Sequence, residues 1–294
     1  MQSKPTASCT RRTAKVSLLI HIQSIANSPY IRIQMEIHHY IIAISAGFMA
    51  GIINTLAGSG SLFTLPMLLF LGLTPHHANA TNRVGILAQT AVSAITLYRR
   101  GSGRIGNDAY YIIPTVMGSI LGAYIALEIP EEILRITIGV VMLLLLIIIL
   151  SRYSDILRPA DGELTAAKKI AAYPVLFVIG IYGGFIQLGV GIFTLAALLL
   201  VLNFTFQHAN ALKNIMNFFL TLPAFLIFAY NGQINWEVGG TVAIGQTLGA
   251  WIAARFALQS EKASVWVRKL LVVMTLFTTL ELFGVLDWFQ SLFL

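Results

Sequence analysis

The sequence predicts an all-α integral membrane protein made of two inverted five-segment repeats, with a short broken or re-entrant segment in each half. Of the 294 residues, 57% are hydrophobic and only 11% are charged, whereas a soluble domain carries about a quarter charged residues. The chain also repeats itself: Phe63-Thr64-Leu65 and His77-Ala78-Asn79-Ala80 return about 130 residues later as Phe193-Thr194-Leu195 and His208-Ala209-Asn210-Ala211. An internal duplication in a strongly apolar chain is typical of membrane transporters.

Composition excludes several other classes of protein. The mean hydropathy is +0.79, and the apolar stretches lack the alternation that a lipid-facing barrel needs, so the spans are expected to be helices. The single cysteine, Cys9, excludes a disulfide framework or a thiolate metal cluster. We interpret the net charge of +7 as basic cytoplasmic loops beside a lipid bilayer, and we expect no nucleic-acid partner.

The N-terminal region differs from the rest of the chain. It contains Arg11, Arg12 and Lys15 and a weak apolar run, but a signal peptide would need a cleaner apolar core and a small-residue cleavage site. We interpret Met35 as the native start, with a disordered basic arm as the alternative. The predicted divisions are an extension (1–37), a first membrane repeat (38–151), a cytoplasmic linker (152–169), a second membrane repeat (170–286) and a C-terminal tail (287–294).

Ten apolar segments follow one another along the two halves. In the first half they are Tyr40–Thr55, Ser61–Leu73, Ala78–Leu97, Tyr110–Leu127 and Ile133–Leu150. In the second half they are Ala171–Gln187, Gly191–Leu202, Leu212–Tyr230, Val238–Ala257 and Val265–Val285.

The second segment of each half is too short to cross a bilayer as a straight helix. Ser61–Leu73 and Gly191–Leu202 would give only about 18–20 Å of helix, against a hydrocarbon core of about 30 Å. Each follows a glycine-rich break, Ala57–Ser61 or Leu188–Gly191. Short, glycine-interrupted segments at corresponding positions are the best sequence indication of a transport site.

The charges of the loops indicate that the two halves are inverted. The loop Arg99–Arg104 is basic, while its counterpart Asn231–Glu237 has no Lys or Arg. The loop Glu128–Glu132 is acidic, while its counterpart Arg255–Lys262 is basic. Because cytoplasmic loops carry the excess of Lys and Arg, equivalent loops are expected on opposite faces, with both termini outside. Sequence leaves open whether the short segments cross or are re-entrant.

The breaks are the first candidate binding site. A helix that starts just after glycines presents free backbone N–H groups and the positive end of its dipole, which attract anions. Close helix packing is the alternative explanation of the glycines. The candidate residues are Gly58, Ser59, Gly60, Ser61, Gly189 and Gly191.

The helices that follow the breaks carry the remaining polar candidates. Asn210, Asn214 and Asn217 are spaced so that three amides share one helical face. Aligning the repeats matches Arg83 with Asn214 and Asn82 with Lys213, so each half supplies one cation beside one amide. An anionic substrate is the expected partner of these cations. Snorkelling of both cations to the interface is the alternative. The full set is His77, Asn79, Asn82, Arg83, His208, Asn210, Lys213, Asn214 and Asn217.

Other side chains are weaker candidates. Asn54, Gln187 and Gln89 can simply bond a neighbouring helix, and His77 and His208 can carry protons or bond at the interface. Adjacent histidines in a helix diverge, and no acid or cysteine lies at ligand spacing, so no metal site is predicted. No catalytic residue, cofactor or phosphate-binding loop is predicted either.

Two stretches resemble the TauE/SafE sulfite exporter family. The first runs from Ala46–Gly51 through Gly58–Ser61 and Leu65-Pro66 to Ala78–Asn82, and the second from Tyr182–Gly191 to Lys213-Asn214. Together they cover roughly residues 38–285. The resemblance implies a multi-pass permease of the bacterial inner membrane for sulfite, sulfoacetate or other organosulfonates. Ser59-Gly60-Ser61 departs from the denser glycine run of that family.

The predicted function is therefore a secondary permease that exports a small sulfur-containing anion by alternating access. A membrane-embedded enzyme and an assembly subunit without transport activity are the alternatives. The sequence leaves the direction of transport, its ion coupling and a homodimeric assembly open.

Overall fold

The computed structural model describes residues 36–99, 106–151 and 165–256. These residues all belong to one compact unit that begins at Glu36. The predicted extension before residue 36, most of the linker, the tenth segment and the C-terminal tail lie outside the described residues.

The described residues form helices and no strand, which confirms the all-α class for this part of the chain. The first half contains α1 (Ile37–Ala57), α2 (Ser61–Phe70), α3 (Pro75–Arg99), a 3-10 helix (Gly106–Tyr111), α4 (Ile112–Glu128) and α5 (Glu131–Ser151). The second half contains α6 (Ala166–Phe185), α7 (Val190–Leu200), α8 (Phe206–Tyr230) and α9 (Trp236–Phe256). Each of the first nine predicted segments corresponds to one of these helices.

Local sequence explains where several helices begin and end. Pro75 occupies the first position of α3, where its missing N–H has no intrahelical partner to lose. Glu131 and Glu132 lie in the first turn of α5, where carboxylates favour the positive end of the helix dipole. The hydroxyl of Thr165 accepts a hydrogen bond from the N–H of Lys168 and caps α6.

Within the described residues, five stretches are long and apolar enough to cross a membrane. They are Ile37–Ala57, Asp108–Glu128, Glu131–Ile149, Ala166–Phe185 and Phe206–Tyr230. Helices α2 and α7 contain only 10 and 11 residues, about 15–17 Å of helix, and are even shorter than the sequence predicts. Helix α3 has 25 residues but is more polar than the spans. Many of its polar side chains are buried in the protein interior.

Two helix pairs with glycines at the contact hold the fold together. Helix α1 packs on α9, and α4 packs on α6, so in each pair the first helix of one half meets the fourth helix of the other. A Cβ added to the contact glycines would collide with the backbone of the partner helix, as expected of small-xxx-small packing. These glycines are Gly47, Gly51, Gly245 and Gly249 in the first pair and Gly118, Gly122, Gly180 and Gly184 in the second.

Candidate functional site

The two glycine-rich breaks lie in direct contact. Gly58 ends α1 with a φ of 77°, and Gly189 precedes α7 with a φ of 65°, a left-handed conformation that glycine adopts without strain. A Cβ on Gly58 would collide with the backbone of Gly191, and a Cβ on Gly191 with that of Gly58. The hydroxyl oxygen of Ser61 accepts a hydrogen bond from the N–H of Gly189 at 2.9 Å. The structure therefore brings together two segments that the sequence singles out separately.

Lys213, on α8, lies at the end of α1 and is fully buried. Its Nζ donates to the backbone oxygens of Asn54 at 3.1 Å and Thr55 at 3.2 Å. It also donates to the side-chain oxygen of Asn210 at 2.7 Å. The carbonyls of the last helical turn form the negative end of the helix dipole, so a cation is favourable there.

Arg83, on α3, makes the matching contact with the end of α6 and is also fully buried. Its Nη1 donates to the backbone oxygen of Gly183 at 3.0 Å and to Oε1 of Gln187 at 2.8 Å. Its Nη2 donates to the backbone oxygen of Gly184 at 2.7 Å. The guanidinium carbon lies 4.7 Å from the ring centroid of Phe228, close enough for a cation–π contact.

Each of the two cations thus binds a helix end in the other half of the chain. Arg83 of the first half caps the first helix of the second half, and Lys213 of the second half caps the first helix of the first half. Both side chains are completely buried inside the protein, which argues against snorkelling. The capping role itself was not predicted, because one sequence does not reveal which helix end each cation will meet.

No carboxylate in the described part of the chain neutralises either cation. The ion pairs that join described residues are His38 with Glu36 and His208 with Asp108, both away from the breaks. The partners of Arg83 and Lys213 are neutral carbonyl and amide oxygens. Neither buried cation therefore has a full countercharge among the described residues.

The predicted asparagines are all buried, and two of them bond the short helices. Asn82 accepts a hydrogen bond from the hydroxyl of Thr64 on α2 at 2.5 Å, while Asn217 accepts from Thr194 on α7 at 3.4 Å. Asn79 donates to the backbone oxygen of Phe185 at 2.8 Å.

Three buried polar atoms of the predicted set have no hydrogen-bond partner among the described residues. They are the hydroxyl oxygen of Ser59, the Nε of Arg83 and the side-chain oxygen of Asn214. An unmade hydrogen bond in a buried site is costly, which distinguishes these atoms from the rest of the predicted set.

The two predicted histidines lie at helix starts, apart from the breaks. A ring nitrogen of His77 bonds the backbone oxygen of Gln233 at 2.8 Å, and one of His208 bonds Asp108 at 2.8 Å. Each therefore anchors the loop before the fourth helix of the other half. Asp108 was missed by the sequence analysis, because one acid in a loop gives no signal of its own. Within the described residues, no group of three or more His, Cys, Asp or Glu is placed to hold a metal.

Comparisons with known proteins show which family and relatives the chain resembles. The model of the family described as sulfite exporter TauE/SafE matches residues 43–282. A probable membrane transporter protein of Sinorhizobium sp, ORF9, is 27% identical over 241 residues, covering 81% of this chain and 89% of the relative. A probable membrane transporter protein of Haemophilus influenzae is 27% identical over 249 residues, covering 85% and 96%. The probable membrane transporter protein YfcA of Escherichia coli is 27% identical over 231 residues, covering 77% and 83%. No solved structure matches the chain.

Proposed function

Since the chain belongs to the sulfite exporter TauE/SafE family, we propose that it is a secondary permease that exports a small sulfur-containing anion by alternating access. The family and the relatives make the chain a multi-pass membrane transporter. The proposed substrates are sulfite, sulfoacetate or another organosulfonate, and the proposed location is the bacterial inner membrane.

One observation carries the choice of an anion: two fully buried cations bind the helix ends that directly precede the two glycine breaks, without a carboxylate partner among the described residues. A buried cation is expensive in a membrane protein and usually faces a partner or a transport path. Helix-end carbonyls offset part of this cost, but each carries only a partial negative charge. A small anion that reaches the breaks would supply the remaining negative charge and offset the rest of the cost.

The contacts of the described helices support inverted repeats. The start of α3 meets the loop before α9, through His77 and Gln233. The start of α8 meets the loop before α4, through His208 and Asp108. Equivalent helices that run in opposite directions would produce this crossed pattern, which is also what the reversed loop charges predict.

Alternating access would act on the contact between the breaks. Glycine gives both breaks freedom to bend, and a hydrogen bond from the N–H of Gly189 to the hydroxyl of Ser61 joins them. Rocking of one half against the other around this contact would expose the anion to each face in turn.

The test is flux from proteoliposomes that contain the full chain. Vesicles loaded with sulfite, sulfoacetate or a non-sulfur anion of equal charge are compared, with and without a pH gradient, against protein-free vesicles. We expect protein-dependent efflux of at least one sulfur oxyanion that exceeds efflux of the matched anion. Equal efflux from protein-free vesicles for every compound would overturn the proposal.

A further inference from the structure

Two buried glutamines, on α3 and α9, have no hydrogen-bond partner among the described residues. Gln89 on α3 is 1% exposed and Gln246 on α9 is 0% exposed, and neither the oxygen nor the nitrogen of either amide is bonded. Leaving four polar atoms of two buried side chains unpaired is unfavourable for folding alone. A ligand that bonds these amides would remove the penalty.

The Gln246 amide lies against Gly85, one turn before Gln89 on α3. A Cβ at Gly85 would overlap the Oε1 of Gln246, so the glycine makes room for this amide. Gln89 follows Gly85 by one helical turn on the same face, and side chains of a helix lean over the turn before them. One turn further along this face, the hydroxyls of Ser93 and Thr55 form a hydrogen bond of 2.8 Å. A polar strip thus runs along α3 between α1 and α9.

The second half of the molecule serves as an internal control for this arrangement. Aligning His77 with His208, and Leu121 with Leu248, places Leu220 at the position of Gln89 and Ser119 at that of Gln246. There the hydroxyl of Ser119 donates to the backbone oxygen of Leu220 at 2.5 Å, so this polar group has a hydrogen-bond partner. The same packing therefore forms without amides, so the fold does not require the two glutamines of the first half.

The surrounding charge selects the kind of ligand. Lys213 donates to the backbone oxygen of Thr55, and the Thr55 hydroxyl bonds Ser93 on the polar strip. A cation beside the strip disfavours a metal ion there and favours an anion. Each glutamine offers an NH₂ group with two donors that can bond anionic oxygens.

We propose that Gln89 and Gln246 form a subsite that hydrogen-bonds the oxygen atoms of the transported oxyanion. The inference rests on the proposed function and deepens it, because it places part of the anion's path between α1, α3 and α9 rather than symmetrically between the halves. The second half, with Leu220 and Ser119 in these positions, has no such subsite.

The test converts the subsite into its second-half counterpart. The double variant Gln89→Leu/Gln246→Ser is compared with wild type in the proteoliposome assay and in thermal unfolding of the purified full chain. We expect KM to rise about tenfold or more, since at least one hydrogen bond to a charged group is lost. We expect the unfolding temperature to stay equal or increase, because unpaired buried amides are removed. Ser119→Ala is the matched control. It removes the hydrogen bond to Leu220, so we expect a lower unfolding temperature and an unchanged KM.

The Gly85→Ala variant tests the same subsite without removing an amide. Its added methyl group displaces the end of the Gln246 side chain, and KM should rise in the same direction. If wild type transports a sulfur oxyanion and both variants keep the wild-type KM, the subsite is overturned while the proposed function stands. If the double variant does not fold, the KM of Gly85→Ala decides. If wild type transports no anion, the proposed function fails and the subsite fails with it.

Discussion

At the residue scale, the central feature is a pair of buried cations that each serve a helix end in the other half. Sequence alone identified Arg83 and Lys213 as candidates, since cations inside apolar segments are rare and functional. It could not identify their partners, because the acceptors are backbone carbonyls of α6 and α1. A carbonyl is present at every residue and leaves no mark in the sequence.

Neutralising either cation should weaken binding of the anion more than it lowers protein yield. Lys213→Met and Arg83→Met keep a long apolar side chain but remove the charge. A charged group bonded to a buried partner contributes roughly 1.5–3 kcal/mol, so affinity should fall about ten- to a hundredfold, most strongly for divalent anions. Arg135→Met, at an exposed position on α5, is the control and should behave as wild type in the flux assay. Wild-type affinity with only a lower unfolding temperature would mean that the cations cap helices and do nothing more.

The two serines beside Gly60 should respond differently to removal of their hydroxyls. The Ser59 hydroxyl is buried without a partner, so Ser59→Ala should raise the KM of flux several-fold and leave stability unchanged. The Ser61 hydroxyl accepts from Gly189 across the breaks, so Ser61→Ala should lower the free energy of unfolding by about 1 kcal/mol. An unchanged KM for Ser59→Ala would remove this hydroxyl from the candidate site.

At the scale of the elements, glycine has two separate uses. The sequence predicted the breaks correctly, because glycine-rich runs precede both short helices. It left open whether those glycines bind a ligand or permit packing, and the collision between Gly58 and Gly191 supports packing for these two. Larger residues at Gly60 or Gly191 would therefore abolish transport under either explanation, which is why the serines make the sharper test.

Within α9, only glycines at a helix contact should be sensitive to substitution. A Cβ at Gly249 would collide with the backbone of Phe48 on α1, whereas one at Gly240 would meet nothing within 4 Å. Gly249→Ala should thus cost about 1–3 kcal/mol of stability through overpacking. Gly240→Ala, the matched control, should be neutral or stabilise by up to about 1 kcal/mol, because alanine favours helix. Thermal unfolding in detergent compares the two, and equal unfolding temperatures would contradict the tight contact between α1 and α9.

At the scale of the whole molecule, the internal duplication predicted the helix order but not which helices of the two halves pack on each other. Matching segments can be aligned from sequence, and nine of them are helices in the described residues. Which segment packs on which depends on interactions between residues far apart in the chain, such as Gly51 with Gln246. A single sequence does not contain this information in any local pattern.

Inverted repeats, if the proposed topology holds, would place the loop between α3 and α4 and the loop between α8 and α9 on opposite faces of the membrane. Single cysteines at Ser102 and Asn231, introduced after Cys9→Ser, should therefore react with a membrane-impermeant thiol reagent from opposite sides in oriented vesicles. Labelling of both positions from the same side would contradict inversion. Permeabilised vesicles, in which both should label, provide the control for accessibility.

The packing of α1 on α9 also has a consequence for synthesis of the protein. Helix α1 is made first, yet the backbone of α9 that fits against Gly47 and Gly51 is made about 190 residues later. At roughly 5–20 residues per second, α1 waits about 10–40 s before its partner leaves the ribosome. For most of that interval the carbonyls of Asn54 and Thr55 also lack Lys213, which is made about 160 residues after them. We therefore expect α1 to depend on the insertion machinery or a chaperone as a temporary partner, and a ribosome stalled before residue 236 to hold it there.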